Sequence, residues 1–222
     1  MITSPQPVEL VVFDCDGVLV DSERIAVRLH VSIGAELGWP LTEEQVMEEF
    51  VGRSSLSIGE RIADRLGTET AAVWGDRFDL LHREAVDSEL VPVDGILEAL
   101  DALRTRGLPM CVASSGSHEK MRHTLGRTGI HPYFTDRVFS ATEVARGKPA
   151  PDLFLHAARQ LGVAPEACVV VEDSRYGVQA ARAAGMRALG YAGGLTPAEW
   201  LEGPDTVVFD DMRKLPVLLG EG

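Results

Sequence analysis

The chain has 222 residues, 45% hydrophobic and 25% charged, which suits one large domain or two small ones with a sizeable core and excludes a disordered chain. Its 34 acidic and 21 basic side chains give a net charge of −13, which argues against nucleic acid and anionic membrane surfaces as partners. No apolar run approaches about 18 residues, no charged-then-apolar leader opens the chain, and Cys15, Cys111 and Cys168 form no CxxC, so a soluble cytoplasmic protein with buried, reduced thiols is expected.

Residues 8–13 are apolar except for Glu9 and read as a buried parallel strand. The strand runs into Asp14-Cys15-Asp16-Gly17-Val18. Ligands bind at the carboxyl ends of strands in open α/β sheets. Two acids there, with a glycine to turn the chain, point to a metal-assisted reaction with a carboxylate nucleophile. Taken alone, the same residues also suit a plain strand-to-turn junction. Cys15, between the two acids, could be reactive, but such a residue more often serves as packing.

The next stretch is helical in pattern, with apolar residues at three- and four-residue steps over 25–37, 43–50, 57–66 and 70–86. Gly38, Pro40 and Gly67 punctuate it, and Thr42 with Gln45 forms a capping-box pattern. Gly52-Arg53-Ser54 is a turn-like break, where Arg53 can fork onto a substrate oxygen or phosphate, or simply be a solvated arginine at a helix start. His30 and His82 are further candidate contacts, although a lone helical histidine more often packs.

Beyond Val91 strands and helices alternate: strands over 109–113, 137–140, 167–171, 187–191 and 206–209, with helices over 95–106, 119–128, 151–161 and 176–184 between them. Such alternation implies right-handed crossovers and a parallel sheet with helices on both faces. The first strand belongs to this sheet. The expected fold is therefore α/β, a doubly wound parallel sheet with a Rossmann-like core over 1–22 and 92–222 and an inserted α-helical cap over 23–91. Connections near Asp21-Ser22 and near residues 91–93 suit a hinged lid.

Three further elements follow predicted strands. In Ala113-Ser114-Ser115-Gly116, small hydroxyl residues and a glycine let backbone N–H groups approach an anion, although serine also suits a helix N-cap. In Gly147-Lys148-Pro149-Ala150-Pro151, a lysine on a stiff backbone can neutralise phosphate charge. In Val171-Glu172-Asp173-Ser174, adjacent acids can supply a metal ligand and its partner, while Asp173 or Ser174 could equally cap a helix. A parallel sheet would gather all four elements on one edge. No G-x-G-x-x-G follows the first strand, so dinucleotide binding has no support.

The set DCDGVLVDS, ASSG, GKPAPD and VVVEDSRYGVQAA resembles the haloacid dehalogenase superfamily. It is most similar to the helical-cap branch that includes β-phosphoglucomutase and 6-phosphogluconate phosphatase-like sugar phosphatases. The resemblance implies a Mg²⁺-dependent phosphatase acting on small phosphate monoesters, sugar or sugar-acid phosphates, through an aspartyl phosphate. It implies Asp14 as nucleophile, Asp16 as general acid/base, and a phosphate site of Ser114, Ser115, Gly116 and Lys148. Mg²⁺ would be held by Asp14, the backbone carbonyl of Asp16 and Asp173, with Glu172 beside them, and Gly52 and Arg53 would meet the substrate. A phosphosugar mutase is the alternative. The mutases of the branch carry a cap histidine ten residues after the second aspartate, where this chain has Ala26. A small phosphate ester is the implied partner, and monomer and dimer remain equally open.

Overall fold

The computed structural model describes residues 7–220; the ends of the expected core, residues 1–6 and 221–222, lie outside them. In chain order the elements are β1 (Leu10–Phe13), four helices α1 (Glu23–Leu37), α2 (Glu43–Phe50), α3 (Ser55–Leu66) and α4 (Thr68–Glu89), then α5 (Ile96–Thr105), β2 (Met110–Ser114), α6 (His118–Arg127) and β3 (Val138–Ser140). They continue with α7 (Asp152–Leu161), β4 (Cys168–Glu172), α8 (Arg175–Ala183), β5 (Arg187–Tyr191), α9 (Ala198–Leu201), β6 (Thr206–Phe209) and α10 (Leu215–Leu218).

The six strands form one parallel sheet in the order β3-β2-β1-β4-β5-β6, the doubly wound arrangement. β1 is central, with Phe13 opposite Val112 on one side and Val171 on the other. The strand order reverses between β1 and β4, which is where such a sheet opens a crevice.

Burial on both faces explains why β1 reads as an unbroken apolar run. Leu10 and Val12 enter one core with Phe154 of α7 and Val178 of α8, while Val11 and Phe13 enter the other with Leu100 of α5 and Leu125 of α6. All three cysteines are free and buried, and burial followed by the charges of Asp16 and Asp14 pushes the Cys15 thiol far above its ordinary range, so it acts as packing.

Helices α1–α4 enclose a third core of their own, including Val27, Ile33, Phe50, Ile62 and Trp74. The Thr42–Gln45 capping box is formed in both directions, at 2.9 and 3.2 Å. The chain enters and leaves this helical unit side by side: Asp21 N–H donates to the Val91 carbonyl at 3.0 Å and Val93 N–H to that of Leu19 at 3.1 Å. Among the described residues no helix is long and apolar enough to cross a membrane.

Candidate active site

The β1–β4 pairing runs to the sheet edge, where Asp14 N–H donates to the Val171 carbonyl at 3.0 Å. That bond sets Asp14 beside the end of β4, where Glu172 and Asp173 follow. Beyond Asp14 the chain folds back on itself, with Leu19 N–H donating to the Cys15 carbonyl at 2.9 Å and Gly17 N–H to that of Val20 at 2.9 Å. Gly17 makes the turn at φ +75°, and a Cβ there would collide with the Asp173 carboxylate.

Lys148 comes from the loop after β3 and is almost wholly enclosed, its side chain 1% exposed. Its Nζ donates to Asp14 Oδ1 at 2.8 Å and to Glu172 Oε1 at 2.5 Å. The other oxygen of Glu172 accepts from the backbone N–H and hydroxyl of Ser174, at 2.8 and 2.9 Å. Ser174, not Asp173, caps α8 by accepting from Gly177 N–H at 3.0 Å. Asp173 is thereby left with no hydrogen bond or ion pair among the described residues. Asp14, Glu172 and Asp173, all buried, can offer carboxylate oxygens within 4.8 Å of one another.

The electrostatics follow from three buried acids around one ammonium, which is bonded to Asp14 and Glu172 only. Burial pushes Asp14 up to about 6, against the pull of Lys148 and with the push of Glu172. Asp173 is raised well above the carboxylate range by burial and by Glu23, Glu172 and Asp14. Glu23, in the first turn of α1, is pushed up to about 8 by burial and the charge of Asp16.

Asp16 is handled differently. Its Oδ1 accepts from the Ser22 hydroxyl at 2.5 Å and its Oδ2 from Lys120 Nζ at 2.8 Å. Burial raises its pKa, but the Lys120 charge and these hydrogen bonds outweigh burial and hold it below the ordinary aspartate value. Both oxygens of its carboxylate are thus bonded, to Ser22 and Lys120, and Asp16 is not among the acids whose oxygens gather within 4.8 Å of one another.

The loop after β2 is fixed at two points: Gly116 N–H donates to Ser114 Oγ at 3.2 Å, and the Ser140 hydroxyl donates to the Gly116 carbonyl at 2.7 Å. The cap of α6 is Ser117, so Ser114 and Ser115 are not spent on capping, and both line a cavity of about 170 Å³ between the sheet edge and the helical unit. Asp14, Asp16 and Lys120 form its floor, and Phe50, Trp74 and Phe78 are among its walls.

Gly52 and Arg53 bring the helical unit onto the sheet edge. Gly52, at φ +75°, lies so close to Ser174 that a Cβ would meet its side chain at 2.5 Å. The Arg53 guanidinium lies over the Tyr176 ring, 4.5 Å from its centroid, and donates to the Tyr176 hydroxyl at 2.5 Å. Its Nε is enclosed and unpartnered, and Gly52 and Arg53 line the cavity. His30 is buried in the aromatic wall. His82 is buried on α4 with Nε2 enclosed and unpartnered, in the seam towards Lys120 and His123 rather than in this cavity.

Sequence reasoning missed Lys120, Glu23 and Tyr176. Lys120 left one usable signal: it occupies the third position of α6, where a cation opposes the helix dipole and so calls for a local partner. Glu23 and Tyr176 each stand at the start of an expected helical stretch and carry no signal there that sets them apart.

The profile of haloacid dehalogenase-like hydrolases matches residues 8–185. The 6-phosphogluconate phosphatase of Escherichia coli K12 is 37% identical over 183 residues, 81% of this chain and 80% of its own length. The β-phosphoglucomutase of Bacillus subtilis 168 is 32% identical, covering 83% of each chain. Among solved structures, a conserved haloacid dehalogenase-like protein from Agrobacterium tumefaciens C58 superposes with a TM-score of 0.82 at 36% identity, over 96% of this chain and 97% of that one.

Proposed function

This chain belongs to the haloacid dehalogenase-like hydrolase family, and on that premise we propose that it hydrolyses small sugar or sugar-acid phosphates, with Asp14 as nucleophile and Mg²⁺ as cofactor. The observation that carries the reading is the placement of Asp14 at the floor of a covered cavity, paired to the buried Lys148 and within reach of an unpaired Asp173. A core over 1–22 and 92–222 would handle phosphate, and a cap over 23–91 would choose the ester. The free, buried cysteines suit a reducing, cytoplasmic setting.

The residues fit a hard divalent cation. Three buried carboxylates gather with Lys148 bonded to two of them, Asp173 has no hydrogen-bond or ion-pair partner among the described residues, and oxygen donors favour Mg²⁺ over zinc. Asp14, Asp173 and the Asp16 backbone carbonyl would hold it, with Glu172 steadying Lys148. A bound Mg²⁺ would supply Lewis-acid neutralisation of phosphate charge.

In the proposed reaction Asp14 Oδ attacks phosphorus in line, and the departing ester oxygen takes a proton from Asp16. Water then attacks the phosphorus of the aspartyl phosphate and gives a proton to Asp16, breaking the bond to Asp14 Oδ and releasing inorganic phosphate and the free carboxylate. Lys148 and the hydroxyls of Ser114 and Ser115 steady the phosphoryl oxygens. The Lys120 ammonium keeps Asp16 ionised. A phosphate dianion arriving beside Asp16 pushes its pKa up, towards the form that donates. Ala26 favours hydrolysis over the mutase reaction: it lines the cavity with a methyl where the mutase pattern has an imidazole.

A screen of phosphate release over sugar phosphates, sugar-acid phosphates, phosphoglycolate and nucleotides, with Mg²⁺ or EDTA, tests the reading. Release from sugar or sugar-acid phosphates that EDTA abolishes supports it. Interconversion of sugar 1- and 6-phosphates without net release would support the mutase instead.

A further inference from the structure

We infer that His30 reads the substrate: its imidazole is locked as the Nε2–H tautomer by Trp74 and presents that N–H to the cavity, where it binds a hydroxyl oxygen of the ester's carbon chain. The inference rests on the phosphatase reading, because it takes the cavity to be where the leaving group sits.

The tautomer follows from one hydrogen bond. Trp74 Nε1 lies 3.0 Å from His30 Nδ1. An indole nitrogen only donates, so Nδ1 accepts with its lone pair and the proton of the neutral ring is on Nε2. Nothing among the described residues pairs with Nε2. Unlike His82 Nε2 it is not fully enclosed, so its N–H opens into the cavity that the ring lines.

The ring is also fixed in place. It stacks on Phe78 with centroids 4.2 Å apart at 11°, and meets Phe50 edge-on at 4.8 Å. Burial, then the charges of His82 and Lys120, lower its pKa to about 3, so it stays neutral across the physiological range. A neutral donor set among Phe50, Phe78, Trp74 and Val27 is poor for a carboxylate, which needs a compensating cation in so apolar a place. It suits a hydroxyl on a chain whose C–H faces lie against aromatic rings. The ester chemistry it selects at this end of the cavity is that of a neutral polyol or sugar carbon bearing OH. Any anionic group on the leaving portion belongs towards Arg53 instead.

Two measurements decide it. On the hexose phosphate turned over fastest, kcat/KM is determined for the parent and for His30→Phe, with the full sugar and its monodeoxy analogues. One deoxy position is expected to slow the parent about tenfold, the scale of one neutral hydrogen bond, and to cost His30→Phe nothing further. Equal deoxy penalties in both proteins overturn the inference. The second measurement needs neither turnover nor that variant: ¹⁵N NMR of the histidine rings in Asp14→Asn protein with Mg²⁺. His30 is expected to show a protonated Nε2 and a bare Nδ1, and its Nε2–H resonance to move with glucose 6-phosphate but not with inorganic phosphate. An Nδ1–H tautomer, an imidazolium, or the same response to both ligands overturns it. A parent that releases phosphate from no ester in the screen contradicts the phosphatase reading, while the NMR spectra still decide for or against the tautomer and contact of His30.

Discussion

Lys148 and Glu172 meet at 2.5 Å with side chains 1% and 0% exposed, and the same ammonium is 2.8 Å from Asp14. Glu172 therefore anchors a cation beside Asp14, the proposed nucleophile. Removing one member of a buried pair strands the other charge, at a cost of about 3–5 kcal/mol. Lys148→Met is expected to lose that much stability in urea unfolding and about 10²–10³-fold in kcat. Lys148→Met with Glu172→Gln is expected to recover much of the stability and none of the activity. Recovery of both would show that Lys148 is only structural.

Gly17 and Asp173 are related by close approach. Gly17→Ala places a methyl on the Asp173 carboxylate at a backbone angle that L residues avoid. The variant is expected to lose most of the rise in melting temperature that Mg²⁺ gives the parent, together with its phosphate release. An unchanged Mg²⁺-dependent shift would remove Asp173 from the metal site.

Lys120 holds one oxygen of Asp16 and Ser22 the other. If Asp16 is the proton donor, disturbing its placement matters most when the leaving oxygen needs a proton. Lys120→Met is expected to slow hydrolysis of a sugar phosphate by about 10²-fold and of p-nitrophenyl phosphate, whose leaving group departs as a stable anion, by much less. Equal losses on both substrates would place Lys120 in phosphate binding instead.

His30 and His82 set an acid-side slope in stability. Burial lowers them from 6.5 to about 3 and about 4. Between those values and 6.5 the unfolded chain binds the additional protons, so their contribution is complete above pH 6.5 and is lost as the pH falls towards 4. The raised carboxylates of Asp14, Asp173 and Glu23 act in the opposite sense, so the useful quantity is a difference. Urea midpoints at pH 7 and pH 5 are expected to fall more for the parent than for His30→Phe with His82→Leu. Parallel falls would mean that the two rings are protonated in the native state.

The sheet and the positions of its strand-end acids were legible because doubly buried strands write themselves as apolar runs, and β1 and β4 end directly in Asp14 and Glu172. Boundaries shifted by a residue or two where hydrogen bonding, not hydropathy, ends the element: β1 begins at Leu10 rather than at residue 8, and β4 includes Glu172. Helix α3 starts at Ser55, two residues before the apolar period suggests, because Ser54 caps it by accepting from Ser57 N–H. The one-turn helices α9 and α10 lack the length for a visible period. At the site, contacts between residues far apart in the chain leave no sign of who the partner is. Lys120 on Asp16 and Arg53 on Tyr176 are pairings that only the folded chain reveals. The Trp74–His30 bond is a further such pairing, and it turns an ordinary helical histidine into an oriented donor.

The central claim is that phosphate passes through the carboxylate of Asp14. The direct test is to mix the protein with ³²P-labelled sugar phosphate and Mg²⁺, quench with acid within the first turnover, and map the labelled peptide. The account predicts acid-stable, base-labile label on the peptide that contains Asp14, and none in Asp14→Asn. Steady phosphate release with label on another residue, or from Asp14→Asn at the parent's rate, would contradict it.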